Sequence, residues 1–437
     1  MQKNRNYLPI ECLVMFFTFI LGLIYPVINL CALSIGLYVI FRESHEDAIS
    51  FLLFAISFDT IFKIQSNGFA LINILIAATA FRILYERKFS IPRGAGFPFL
   101  IFALYVIAGG VLNDPKDCII LLLYVLFGIL IVETLSNNSD VQKMVRFAAM
   151  GVIAASCSAL LLENKINRLK QFLSTSRIKM GAGNYYYRFS GLQANPNYYT
   201  VLISVVLAVF VVLFIRRKMT LVDYLCASAL TIFGLMSASM SFVVTLMITL
   251  LVLVLYTVRN RPIALIGILA FSILFVVGLY YFRNTSLVES LFYRLQKYNS
   301  DGGVSADSLT TGRSSIWRLY FDYLSNNPRV LLFGAGVGAN ATKLVGRQAH
   351  NFYIEVVFYT GVFGTIIYSI LMLKTYSVYR LINRQRKWIC LLPFGVLLFR
   401  AFARCLFLDD QFVFMLILCF CCALNVDSAC DCFENGG

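Results

Sequence analysis

Residues 202–214, LISVVLAVFVVLF, form an apolar run interrupted only by Ser204, and Arg216-Arg217-Lys218 stops it. Counted from Pro196, the segment reaches the roughly 17–25 residues that an α-helix needs to cross ~30 Å of hydrocarbon. It is continuously apolar rather than alternating, so it does not fit a barrel strand. A chain in lipid must also close its own backbone hydrogen bonds, and a membrane-spanning helix meets both conditions.

Similar runs, VVTLMITLLVLVLY at 243–256 among them, fill almost the whole chain. Of its 437 residues 59% are hydrophobic, 15% aromatic and only 14% charged. Mean hydropathy is +0.79. A soluble globule is nearer ~45–50% apolar, so the composition specifies an all-α, polytopic integral membrane protein. Residues 1–437 read as a single membrane domain of about 12–14 transmembrane helices with a large outer loop. Spans are expected to begin near Pro9, Val27, Ala48, Gly68, Phe97, Cys118, Val141, Pro196, Leu221, Met240, Pro262, Asn351, Trp388 and Phe407. The first two are short and divided at Pro26, and the basic-then-apolar start reads as a retained signal anchor. The cysteines lie mostly within spans or near the C-terminus and read as small apolar residues rather than as a zinc or disulfide framework.

Basic residues in short connections set the expected orientation. Lys3 and Arg5, Arg42, the Arg82–Arg93 cluster, Arg216–Lys218, Arg259 and Arg261, and Arg380–Lys387 fall on alternate connections. These are expected to be cytoplasmic, with both termini inside. Two connections depart from that pattern, 163–195 and 283–350, which parity places outside although both are rich in Lys and Arg. Long loops escape the positive-inside rule, and basic outer loops face an anion, for which a lipid diphosphate at the outer leaflet is the natural candidate. Nucleic acid is excluded because there is no soluble basic domain to hold it.

The longer loop has internal order. In TGRSSIWRLYFDYLSNNPRVLLFGAGVGAN, residues 311–340, the positions of Ile316, Leu319, Tyr320, Tyr323 and Leu324 predict one amphipathic helix. Thr310, Thr311 or Ser314 is its candidate cap, Asn327-Pro328 its end, and Arg313 sits in its first turn. Its aromatic side is expected to lie on the membrane surface with the guanidiniums at headgroup depth. Gly334, Gly336 and Gly338 permit tight turns, but without a preceding strand and following helix they make no dinucleotide site. In the shorter loop, YYYRFSGLQANPNYYT at 185–200 fixes Arg188 just before a span. AHNFYIEVVFYTGVFG, 349–364, opens the span after the long loop with His350, one of two histidines in the chain.

Four of these stretches, RFSGLQANPN, TGRSSIW, NPRVLLFGAGVG and AHNFYIEVVFYTGVFG, lie in this order between Arg188 and Gly364. Together they resemble the O-antigen ligase and O-antigen or capsular polysaccharide polymerase superfamily of bacterial membrane glycosyltransferases. The first half of the chain matches only in hydropathy. The resemblance implies a multi-helix fold whose large outer loop covers a catalytic cavity on the outer face of the cytoplasmic membrane. It implies transfer of a glycan from an undecaprenyl diphosphate carrier to an acceptor hydroxyl, with no cofactor and no metal. By position, Arg188 and Arg313 would bind and neutralise the diphosphate, and His350 would lie beside the acceptor hydroxyl. Arg318, Arg347, Trp317 and Asn351 are candidate substrate-binding residues, although Asn351 and the three glycines match motif positions read as structural.

The chemistry of these residues agrees. Bidentate arginines stabilise charge on a leaving diphosphate, and a neutral histidine can take the hydroxyl proton or orient the acceptor. Asp409-Asp410, beside Arg400 and Arg404, reads as a salt-bridged helix end, and His45 as a solvated loop residue. The modest size and lack of an appended domain favour a polymerase that joins one lipid-linked repeat unit to another. The alternative within the superfamily is a ligase that moves the finished glycan to lipid A core or another terminal acceptor. A transporter of the same lipid is a second alternative, disfavoured because the spans carry little mid-helix charge. Membrane lipids, a chain-length regulator and a flippase are the further candidate partners.

Overall fold

Pro196–Ile215 is apolar on every face, and 83% of its apolar window lies inside the protein. A helix of that kind has no polar side to offer and belongs in a core. Its entry is fixed by Asn195, whose side chain accepts from the Asn197 N–H, and by Pro196 in the first turn. Val141–Leu162, Leu221–Met236, Met240–Asn260, Leu392–Ala401 and Asp410–Asn425 pack around it. The computed structural model describes residues 7–64, 69–91, 93–135, 139–163, 165, 166, 169, 178, 179, 185, 186, 188–193, 195–260, 313–382 and 388–425.

Among these residues five helices are long and apolar enough to cross a membrane: Pro115–Thr134, Val141–Leu162, Pro196–Ile215, Met240–Val258 and Phe352–Thr375. Six shorter apolar helices accompany them, with Leu8–Ile24 and Pro26–Arg42 divided at Pro26 as expected. The span expected near Pro262 lies outside the described residues. The one expected near Ala48 is instead His45–Ala55, whose 11 residues continue into the turn Ile56–Phe58. At 1.5 Å per residue that helix is about 16 Å long, too short to cross on its own. It packs closely on Val141–Leu162, where a side chain on Gly151 would meet the Phe54 carbonyl at 2.3 Å. His45 is also not a loop residue: it begins this helix, which Ser44 caps, and its Nε2 lies 2.7 Å from Glu86 Oε2. In the 163–195 connection a two-residue antiparallel ladder pairs Ile178–Lys179 with Tyr185–Tyr186.

Phe352–Ile382 is broken at Gly361, which has φ 66° and ψ −177°. A break leaves helix carbonyls without their usual donors. Here the 334–338 loop supplies them: Ala335 N–H donates to the Phe358 carbonyl at 2.8 Å and Gly336 N–H to the Tyr359 carbonyl at 3.0 Å. The Tyr105 hydroxyl donates to the Thr360 carbonyl at 2.8 Å. Such contact between two backbones leaves no room for side chains. A Cβ on Gly361 would lie 2.4 Å from both Gly334 N and the Leu332 carbonyl, and one on Gly336 would lie 1.9 Å from the Gly109 carbonyl.

This geometry separates two glycines of similar backbone. Gly336 and Gly346 have φ of 86° and 90°, but nothing lies within 4 Å of a Cβ on Gly346. Gly346→Ala should cost about 1 kcal/mol, the left-handed strain alone. Gly336→Ala must displace backbone and should cost roughly 3 kcal/mol or more. Thermal unfolding of the two purified variants in detergent measures the difference, and equal losses would refute the docking.

Candidate functional site

The helix expected in the long loop is present as Arg313–Asn326, and Pro328 begins the next one. Thr310 and Thr311, two of its candidate caps, lie outside the described residues. Ile316, Tyr320 and Leu324, at i, i+4 and i+8, are its buried stripe, while Leu319 is 46% exposed. The stripe does not lie on a membrane surface as expected. It packs against Ala349, Ile354 and Phe358, because the first turns of the broken helix present an apolar face to it. The Tyr320 and Phe358 rings meet edge-on at 5.3 Å.

This packing positions His350. Trp317 Nε1 donates to the Ala349 carbonyl at 3.2 Å, and the Tyr320 hydroxyl donates to the Arg347 carbonyl at 2.8 Å. Beyond His350, the Asn351 side chain accepts from the Tyr353 and Ile354 N–H groups and so caps the broken helix. Held from both sides, His350 adopts φ 47°. For a residue other than glycine this costs on the order of 1 kcal/mol, strain of a kind that collects at functional sites. Its Nδ1 is buried and has no hydrogen-bond partner. Burial, then the charges of Arg404 and Arg313, lowers the imidazole pKa below its ordinary value, so the neutral form is favoured.

Arginines gather around the same place. Arg188 is buried, donating from Nε to the Ser237 carbonyl and from Nη2 to Asn197 Oδ1, each at 2.9 Å. Asn197 is shared, since its main-chain carbonyl accepts from Arg400 Nη2 at 3.2 Å. Arg400 Nη2 also reaches Thr200 Oγ1 at 2.6 Å, and Arg404 stacks over the Tyr198 ring at 5.2 Å. Arg313, half-buried in the first turn of its helix, is near enough for its charge to act on His350, Arg400 and Arg404. Beside this cluster lies a cavity of about 270 Å³, lined by Tyr198, Tyr320, Gln348, Glu355, Tyr359 and Asp409 among others.

Of the residues singled out from sequence, Arg313 and His350 therefore converge, and Arg188 is linked to them through Asn197 and Arg400. Arg318 and Arg347 are exposed on the surface of the loop. Trp317 and Asn351 make the structural bonds just described. The expected salt bridge of Asp409-Asp410 with Arg400 and Arg404 is absent. Asp410 bonds instead to the carboxyl of Asp59, and Asp409 accepts from the Gln411 N–H. Sequence reasoning thus missed Arg400 and Arg404 as members of the site. The signal was there, since two charges in the apolar stretch LLPFGVLLFRAFARCLF, 391–407, are costly unless functional.

A family model described as O-antigen ligase matches residues 224–369, the region holding Arg313 and His350. That match covers about a third of the chain, and the likeness is to this region. No curated protein matches the chain. Apart from one two-residue ladder, the regular structure of the described residues is helical, with five helices long and apolar enough to cross a membrane.

The strain at position 350 separates structure from chemistry. His350→Gly can hold φ 47° without penalty and should be about 1 kcal/mol more stable than His350→Ala. Both variants remove the imidazole and should abolish activity. Comparing their unfolding midpoints and turnover tests this, and an active glycine variant would remove His350 from the site.

Proposed function

We propose that this protein is a polymerase of a cell-surface polysaccharide, O-antigen or capsule. It transfers the glycan from an undecaprenyl diphosphate carrier to a hydroxyl of another lipid-linked repeat unit. The supporting observation is His350 Nδ1, a buried nitrogen without a partner, near Arg313 and Arg404 and next to Ala349, which lines a polar cavity. On this reading the site lies on the outer face of a bacterial cytoplasmic membrane, under the 283–350 loop, with 163–195 as the second outer connection and both termini in the cytoplasm.

The acceptor hydroxyl donates its hydrogen bond to His350 Nδ1. Its oxygen attacks the anomeric carbon of the donor sugar as the bond from that carbon to the diphosphate oxygen breaks. The proton passes to Nδ1, and the electron pair of the broken bond leaves with the diphosphate. Arg188 and Arg313 hold that anion, and removing water from around them strengthens the attraction. No nucleotide sugar takes part, and in this reading the guanidiniums supply the positive charge that the leaving group needs. Arg318 and Arg347, exposed on the loop, are placed to meet lipid headgroups or incoming glycan.

The description of the matched family favours a second reading, a ligase that moves the finished chain to a terminal acceptor. Deletion of the gene separates the two. Loss of long carrier-linked chains supports the polymerase, whereas their accumulation supports the ligase.

Two further outcomes test the site. Arg313→Ala should slow lengthening of lipid-linked repeats by purified protein by roughly 10²–10³. Turnover by this variant at the wild-type rate would overturn the assignment. The base is active when neutral, so the rate should hold as pH falls to 6.5, the ordinary histidine value, and drop only below it. An acid limb at or above that value in the pH profile of kcat/KM would contradict the lowered pKa.

A further inference from the structure

Arg400 and Arg404 are the most deeply buried cations among the described residues, at 0% and 1% exposure. Arg400 Nε and Nη1 and Arg404 Nε and Nη2 have no hydrogen-bond partner. An unsatisfied guanidinium in a membrane protein core costs several kcal/mol, which a purely structural role does not explain. Two half-buried cations elsewhere do meet carboxylates, Arg146 with Asp223 at 3.0 Å and Arg87 with Glu133 at 2.9 Å. Here the nearby Asp409 accepts from the Gln411 N–H, and neither arginine makes an ion pair with it. Arg400, in the last turn of Leu392–Ala401, and Arg404, just beyond that helix, are near enough for their charges to act on each other and make one cationic face. That face is shared with Arg313 and His350, and Asn197 ties Arg400 to Arg188.

We propose that Arg400 and Arg404 form a second guanidinium pair, which binds the inner part of the same lipid diphosphate from beneath while Arg188 and Arg313 hold it from the loop side. The proposal rests on the polymerase reading for the site but concerns residues outside the matched 224–369 region. The departing diphosphate is a monoester with up to about three negative charges, more than one pair of guanidiniums offsets, and a second pair supplies the rest. The partnered Arg400 Nη2, fixed on Thr200, aims the remaining nitrogens of that guanidinium, so part of the site is ordered before the anion arrives.

The test is binding rather than turnover. Purified full-length protein in detergent is titrated with farnesyl diphosphate, and with inorganic diphosphate to separate a lipid anion from a free one. The ligand-induced rise in unfolding temperature is compared with each variant's own ligand-free value. Arg404→Gln and Arg400→Gln should each weaken farnesyl diphosphate binding about tenfold to a hundredfold, as loss of a charge-assisted hydrogen bond does. Arg404→Lys keeps the charge but not the fork and should bind between the two. If Arg313→Gln loses binding while Arg400→Gln and Arg404→Gln keep wild-type affinity, the second pair is refuted and the site reading stands. If the wild-type protein binds neither probe, the diphosphate reading itself fails. Stronger binding of inorganic than of farnesyl diphosphate would overturn the lipid assignment. A measurement on unaltered protein covers variants that do not fold. Farnesyl diphosphate carrying a diazirine on its first isoprene should label residues 400–405 on irradiation, and labelling confined to other segments would overturn the proposal.

Discussion

The break at Gly361 is the constraint on which the site depends. A continuous helix from Phe352 would satisfy its own carbonyls and offer nothing to the loop before it. Breaking it exposes the Phe358 and Tyr359 carbonyls, and the loop can reach them only by bringing its main chain into contact, which is why Gly334, Gly336 and Gly338 stand there with φ above 80°. Once that loop is docked, the chain on either side is docked with it. Arg313–Asn326 is laid against Ile354 and Phe358, and Arg313 is carried to the neighbourhood of His350. A backbone hydrogen-bond deficit in one helix is thus converted into the position of a side chain on another.

The protein treats charge in two ways. Ion pairs such as Arg42–Glu11 and Arg146–Asp223 tie helix to helix, each cation answered by an anion from another element. Around His350 the cations outnumber the anions available to them. Arg400 and Arg404 have unused donors, and the closest carboxylates hold hydrogen bonds of their own: Glu355 accepts from the Phe407 N–H, and Asp409 from the Gln411 N–H. Leaving buried charge uncompensated is costly unless a ligand supplies the counter-charge, so the imbalance itself points to an anionic substrate.

Most of the fold was legible because hydrocarbon imposes one solution. Continuous apolar runs must be helices, and their starts follow from Pro and Asn, as at Asn195-Pro196. What sequence could not give was length along the membrane, since His45–Ala55 is as apolar as its neighbours and simply turns early. Nor could it give the partner of an amphipathic face. Ile316, Tyr320 and Leu324 look the same whether they meet lipid or Phe358, and Leu319, in phase with them, ended on the exposed side. Arg313 and His350 were legible through their motifs. Arg400 and Arg404 were misread because carboxylates stood a few residues away, and opposite charges near in sequence invite pairing. The folded chain instead gives Arg400 to Asn197 and Thr200, and Asp410 to Asp59.

Placing a base among cations has a consequence for order of events. Burial, and then the charges of Arg404 and Arg313, weakens His350 as a proton acceptor, because a protonated imidazole would add to the positive charge already there. On the polymerase reading, a diphosphate bound to those guanidiniums would offset their charge and remove their part of that penalty. On that reading, His350 then becomes a stronger base once the donor is in place, and stays a weak one toward water before that. The same arginines would hold the leaving group, tune the base and couple the two, so that proton acceptance follows donor binding without any moving part.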